Sequence, residues 1–304
     1  MPTSSAVIGL DIGGTNLKAL AFAADGQILA EQTTPTNDDG SESWRILARD
    51  LTLSLLERHG PETPVAIAAP GLPSKDGLSI LSMPGRLKGL EGLNWQKWLG
   101  LKSPVPVLND ARAALLGETW LGAAKGCSNV VLLTLGTGVG GAAMVDGRLL
   151  HGHLGRAGHL GHLSLNPDGP KDIVNTPGSL EDAIGDHTLP RRSSGKFHST
   201  RELVAAMRSG DQDAARVWKE SLHALGVAIC GFVNLFDPEL IVLGGGIADA
   251  DQKLFKPLEC ALDEYEWRPA GSKVRLVKAA LGPRAGAAGA AFAARLNRKD
   301  LIFP

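Results

Sequence analysis

The sequence has little sulfur, few aromatics and no excess of either charge, and each shortage narrows what the chain does. Cysteine occurs three times in 304 residues, at Cys127, Cys230 and Cys260. Three widely spaced thiols make no disulfide framework and point to a reducing compartment, so a cytoplasmic protein is expected. Lysine and arginine total 31 against 32 aspartates and glutamates, a formal net charge of −1. No basic run interrupts that balance, so neither nucleic acid nor an anionic membrane is an expected partner. Every apolar run is broken by glycine or charge well short of the ~18 residues of a membrane span. The N-terminus lacks a basic stretch followed by a long apolar one, so no secretory signal is expected.

Glycine, by contrast, is plentiful, at 38 residues, and it is clustered. Residues 6–10 (AVIGL) are an apolar run that enters the turn Asp11-Ile12-Gly13-Gly14-Thr15. Leu17 to Phe22 is a second run, followed by Asp25-Gly26, a hairpin signal, and by Gln27 to Ala30. The same order recurs: Val130 to Leu135, the turn Gly136-Thr137-Gly138, Gly141 to Val145, then Asp146-Gly147 and Arg148 to Leu150. One unit of strand, glycine turn, strand, Asp-Gly turn and strand therefore appears twice. A chain of 304 residues exceeds the roughly 100–200 of one domain. Repeat and length together predict two lobes with a cleft between them.

Between and after the copies, strands alternate with helices, the mark of an α/β protein. Trp44, Leu47, Leu51 and Leu55 make the stripe of an amphipathic helix. Val65 to Ala69 reads as a buried strand ending at Pro70-Gly71, and residues 73–100 as a long loop or cap. Val105 to Leu108 is a further strand, running into Asn109-Asp110 and a helix that either residue suits as a cap. Residues 151–190 are irregular. Ala214 to Leu235 is helical in pattern, Leu240 to Leu243 is a strand entering Gly244-Gly245-Gly246, and AGAAGAAFAARLNRK near the end is a small-residue helix.

Both glycine turns join strand to strand, whereas a dinucleotide fingerprint lies between strand and helix. Their use is different: glycine lets backbone N–H groups approach an anion closely, and Thr15 and Thr137 add hydroxyls. One such turn is more often an ordinary hairpin; two suit the grip of a polyphosphate. Asp11, at a strand end, either caps its turn or holds Mg²⁺ through water. Lys18 is either solvated surface or a phosphate contact. Asp110 stands where α/β sheets present ligand residues, and phosphoryl transfer needs one carboxylate to take the hydroxyl proton. His151, His153, His159 and His162 are four of the chain's eight histidines. No periodicity converges them on a metal, so His151 and His153 read as loop residues.

LDIGGTN near the start, VLNDARAA at 107–114, LGTGVGG at 135–141, GHLGH at 158–162, IVLGGGI at 241–247 and AGAAGAA near the end resemble the ROK family of sugar kinases and repressors, within the hexokinase/actin-like superfamily. The resemblance runs from about residue 6 to 295. It implies a duplicated actin-like, ribonuclease H-like α/β fold, with residues 1–108 and 285–304 as one lobe and 109–284 as the other. It implies an ATP- and Mg²⁺-dependent hexose kinase, glucose being the commonest substrate, and a homodimer. Asp11, Gly13, Gly14 and Thr15, with Asn16 and Lys18, would form the first phosphate motif and Gly136, Thr137 and Gly138 the second. Gly244, Gly245 and Gly246 would pack on adenosine. Asp110 would be the general base and Asn109 a sugar ligand, with Gly71, His159, His162 and Glu181 completing the sugar site.

Two departures concern the sugar side. Members commonly carry GExGH, where this chain has His159 in place of the glutamate. An imidazole offers one acceptor and one donor where a carboxylate accepts twice. Many members also hold a structural zinc through the last histidine of that motif and three cysteines; residues 163–185 contain none, so no structural zinc is expected. Repressors of the family carry an N-terminal helix-turn-helix, for which the first strand at Ala6 leaves no room in this sequence. The remaining alternatives are a sugar-binding protein without catalysis, a kinase for mannose, fructose, allose or an N-acetylhexosamine, and a polyphosphate-dependent enzyme.

Overall fold

The computed structural model describes residues 6–296. The first copy of the repeat is a meander of β1 (Val7–Ile12), β2 (Asn16–Phe22) and β3 (Ile28–Pro35), antiparallel throughout. The amphipathic helix α1 (Ser43–His59) follows and buries Trp44, Ala48, Thr52, Leu55 and Leu56, with Leu47 and Leu51 partly covered beside them. Strand β4 (Val65–Ala69) is buried at every residue and pairs parallel to β1, as an apolar run without alternation requires.

Residues 73–100 differ from the expected loop. They contain β6 (Ile80–Ser82), which pairs with β5 (Leu72–Pro73), and the short helix α2 (Trp95–Leu99). These elements are too short for a periodic signal. They are pinned by single buried anchors, Ile80, Leu87, Leu90 and Trp95, the last lying 6.3 Å from the Trp44 ring. Strand β7 (Val107–Asn109) pairs parallel to β4 and leads into α3 (Asp110–Leu121). The resulting sheet order is β3-β2-β1-β4-β7.

The second copy is β8 (Val130–Leu135), β9 (Val139–Val145) and β10 (Arg148–Leu149). Asp146 and Gly147 both take positive φ, 51° and 73°, as a two-residue hairpin of the twisted type demands. The stretch expected to be irregular holds two single-turn helices, α4 (Leu180–Ile184) and α5 (Leu189–Arg192). Then come α6 (Thr200–Arg208), α7 (Gln212–Phe236), β11 (Leu240–Gly244), α8 (Gln252–Tyr265), β12 (Arg275–Lys278) and α9 (Ala285–Ala293). Strands β11 and β12 pair parallel on the far side of β8, giving β10-β9-β8-β11-β12. The duplication thus extends from the meander to all five strands.

The chain forms two compact units. One comprises residues up to Gly126, Arg148–Ala157 and the chain from Ala280 onward; the other comprises Cys127–Gly147 and Gly158–Ala279. The division therefore does not fall at residue 108, and α3 with Asp110 goes with the first unit. The reason is the small-residue helix α9, which lies against α3 and β1. A Cβ on Gly289 would collide with the Ala113 carbonyl, and one on Gly9 with that of Ala287, so only glycine permits this approach.

Candidate functional site

In the first unit, Ile12 pairs with Leu17, so residues 13–16 make the turn between β1 and β2. The Gly13 N–H donates to the Asn16 carbonyl at 3.0 Å. The N–H groups of Gly14 and Thr15 have no hydrogen-bond partner among the described residues, and both residues are exposed. The back of the turn is held by buried Thr36, whose hydroxyl donates to the Gly13 carbonyl at 2.6 Å and whose N–H donates to the Thr15 carbonyl at 2.9 Å. Asp11 stands across from Lys18 in the β1–β2 register. Its carboxylate packs so closely on Gly286 of α9 that a Cβ there would lie 2.7 Å from it. Burial and the nearby Asp110 charge raise the Asp11 pKa to about 7, with Lys18 partly offsetting them. Lys18 is thus more than solvated surface.

Asp110 is the first residue of α3, and Asn109 is its cap: the Asn109 Oδ1 accepts from the N–H groups of Ala111 and Arg112. The Asn109 amide also donates to the Gly71 carbonyl at 3.1 Å, and its side chain supports the Asp110 carboxylate by a hydrogen bond. Gly71 takes φ 98° and packs against the Ser82 carbonyl. The Asp110 carboxylate is open to solvent, yet the protein around it is dense enough to push its pKa up against the hydrogen bonds it accepts. Arg86, which the sequence pattern did not single out, pairs with Asp38. Its guanidinium lies over Gly14, and its charge acts on Asp110.

In the second unit, Leu135 pairs with Val139, so only Gly136, Thr137 and Gly138 turn. Here too one amide is used internally, Gly136 N–H to Gly138 O at 3.0 Å, while those of Thr137 and Gly138 have no partner among the described residues. The carbonyls of Gly136 and Thr137 accept from the N–H groups of Asp186 and His187, and the His187 ring bridges Thr137 and Asp182. Glu181 Oε2 accepts the Val139 N–H at 2.9 Å, and a Cβ on Gly138 would strike that carboxylate. Gly245, at φ 83°, packs on the carbonyl of Leu135, which brings Gly244-Gly245-Gly246 beside this turn. Gly246 has open space where a side chain would stand.

Strand order, paired glycine turns and an acid at a helix start converge on one class of protein, and the ROK family model matches residues 7–296. The chain belongs to the ROK family. It is 32% identical over 308 residues to a glucokinase of Thermotoga maritima, covering 94% of this chain and 96% of that one. It is 31% identical over 293 residues to an N-acetylmannosamine kinase of Escherichia coli O157:H7, covering 95% and 98%. A ROK family glucokinase from Streptomyces griseus, solved in complex with glucose and AMPPNP, matches with TM-score 0.78 at 29% identity, covering 95% and 99%. The fold is the duplicated actin-like one, and the chain is a sugar kinase. Among the described residues no helix is long and apolar enough to cross a membrane.

The histidines of this ROK chain are held in different ways. His151 faces the buried Arg112 guanidinium, which also donates to the carbonyls of Gly155 and Ala157. Burial and that positive charge depress the His151 pKa to about 4. The turn Leu160–His162 lies on β9, because Leu160 sits over Gly141 and Gly161 fits against the Val139 carbonyl. His159 precedes that turn and is half-buried. His162 Nδ1 lies 2.8 Å from the carboxylate of Asp172, another residue the pattern did not flag. Burial opposes charge on Asp172, but hydrogen bonds from His162, Thr176 and Val174 outweigh it and hold its pKa below the usual carboxylate range.

Proposed function

We propose that the chain phosphorylates a hexose, glucose at its 6-hydroxyl first among the candidates, with Asp110 as the base. The observation that carries this reading is the Asp110 carboxylate: it opens α3, is open to solvent, has a raised affinity for protons, and shares a unit with Asp11 and the first glycine turn. A base of raised pKa takes a hydroxyl proton more readily near neutral pH. The amides of Gly14, Thr15, Thr137 and Gly138, without a partner among the described residues, suit phosphate oxygens. Arg86 and Lys18 add positive charge at the first turn, and exposed Gly245 and Gly246, with Gly244 buried beside them, leave adenosine room free of side chains. Asn109, Gly71, His159, His162 and Glu181 are the proposed sugar side, with Asn109 and Glu181 each already spending part of their hydrogen-bonding capacity on the protein.

Magnesium fits these residues. Asp11 and Asp110 are acids close enough for one charge to raise the other's pKa, a repulsion that a cation relieves. Mg²⁺ is held through few carboxylates and much water, so Asp11 would hold it by way of water. When bound, it neutralises charge on the phosphates. The test is ADP release from ATP and Mg²⁺ over a panel of glucose, mannose, fructose, allose, N-acetylglucosamine and N-acetylmannosamine. Glucose is expected to stimulate most. If no sugar stimulates release while ATP still binds, the kinase reading fails for this chain. N-acetylmannosamine is the second candidate, favoured by the comparable identity to a kinase named for that sugar.

A further inference from the structure

Asp172 is a buried carboxylate for which the proposed chemistry has no use. Its side chain is fully covered, while the His162 ring beside it remains 24% exposed. Its Oδ1 accepts the N–H groups of Val174 and Thr176, each at 2.9 Å, in a tight loop that needs a positive φ at Asn175. Its Oδ2 faces His162 Nδ1. The surrounding chain is closed by the Ser164 hydroxyl on the Pro177 carbonyl and by Leu180 N–H on the Leu163 carbonyl. The loop then returns to Ser179, the cap of the helix that carries Glu181.

An ionised carboxylate has no proton to give, so at this contact the imidazole must donate from Nδ1. In the neutral ring that leaves Nε2 as the nitrogen with the lone pair. A metal on Nδ1 would do the reverse and leave the proton on Nε2. Among the described residues no protein group bonds to Nε2, and the ring keeps a solvent-facing side. We propose that Asp172 is a positioning residue that holds the His162 proton on Nδ1, so that Nε2 accepts from a sugar hydroxyl and the site selects a hydroxyl able to donate. The proposal rests on the reading of His162 as a sugar contact. It gives the loop that lacks zinc-binding cysteines a chemical consequence, an acceptor where a metal-bound imidazole would present a donor.

Two measurements on the full chain test it. The first is the tautomer of His162, read from ¹⁵N shifts of the labelled histidines and assigned with His162→Gln. Nδ1 is expected to carry the proton; a proton on Nε2 in the neutral ring overturns the proposal. The second is kinetics of Asp172→Asn. Its Oδ1 can still take the Val174 and Thr176 N–H groups, while its amide donates to Nδ1 and moves the ring proton to Nε2. Losing one hydrogen bond of this kind corresponds to about a tenfold rise in sugar KM, with kcat and the ATP KM changed far less. Glucose analogues with one hydroxyl replaced by fluorine, which cannot donate, should be rejected by the wild type at one ring position and be partly rescued there by Asp172→Asn. If His162→Gln raises the sugar KM and Asp172→Asn does not, the proposal alone fails. If His162→Gln leaves the sugar KM unchanged, the sugar-contact reading falls and takes the proposal with it. Should Asp172→Asn not fold, the wild-type tautomer and the fluorinated sugars still decide.

Discussion

The turns after β1 and β8 stand at the same point of the same five-strand order, and both leave two backbone amides without a partner among the described residues, yet they are braced differently. One residue, Thr36, holds the first turn from behind. The second is held by Asp186, His187 and Glu181, from a segment with no counterpart after β3. That same segment carries His162 and Asp172. Duplication therefore supplied two similar glycine turns, and the later segment braced the second with Glu181, a residue of the proposed sugar side. The acids divide the other way. Asp11 is next to last in β1 where Thr134 is next to last in β8, and Asp110 follows β7, whereas Ala279 follows β12.

The sharpest break of that asymmetry is Asp110→Asn, which has no equivalent to make in the second unit. Turnover measured as sugar-dependent ADP release should fall by roughly 10²–10⁴, the worth of a positioned base, with sugar binding largely kept. Next come paired glycine substitutions. Gly138→Ala drives a methyl into the Glu181 carboxylate and breaks its hold on Val139, so the ATP KM should rise by about tenfold, the equivalent of one such hydrogen bond. Gly14→Ala meets only the movable end of Arg86 and should change the ATP KM much less. Equal effects would mean that the bracing does not matter.

The acid of the first turn makes a pH prediction. Folded Asp11 keeps its proton up to about pH 7, while the unfolded chain releases it near the ordinary aspartate value of 3.8. In that window the folded state binds more protons, so this group withdraws stability as pH rises and changes nothing further above it. Mg²⁺ with ATP favours the ionised form, so its upward shift of Tm should be larger at about pH 8 than at about pH 5. The smallest effect is Thr36→Val, which strips the Gly13 carbonyl of one hydrogen bond. It should cost about 1 kcal/mol in thermal unfolding and touch the first turn alone.

Much of the fold was legible in advance because its carriers are local. Asp-Gly at a hairpin, an apolar run without alternation, and a stripe at helical spacing each act within a few residues. Residues 73–100 were not legible, since α2 is a single turn fixed by Trp95 against Trp44, a contact across half a hundred residues. Of the proposed site, Asp110, Asp11 and both glycine turns could be named from motif and strand order. Arg86 and Asp172 could not, because an arginine after Pro-Gly and an aspartate before Ile-Val carry no pattern.

The sequence alone determined the duplication, the two glycine turns and the carboxylate that opens α3, because strand, turn and cap are short-range consequences of residue type. Tertiary structure decided the rest. It placed α3 with the first unit through the glycine contacts of α9, since close approach depends on the partner as much as on the glycine. It set the Asp11 proton affinity, since burial and neighbouring charge exist only in the folded chain. It also put Asp172 on His162 Nδ1, a pairing ten residues apart that no helical or strand period would bring together.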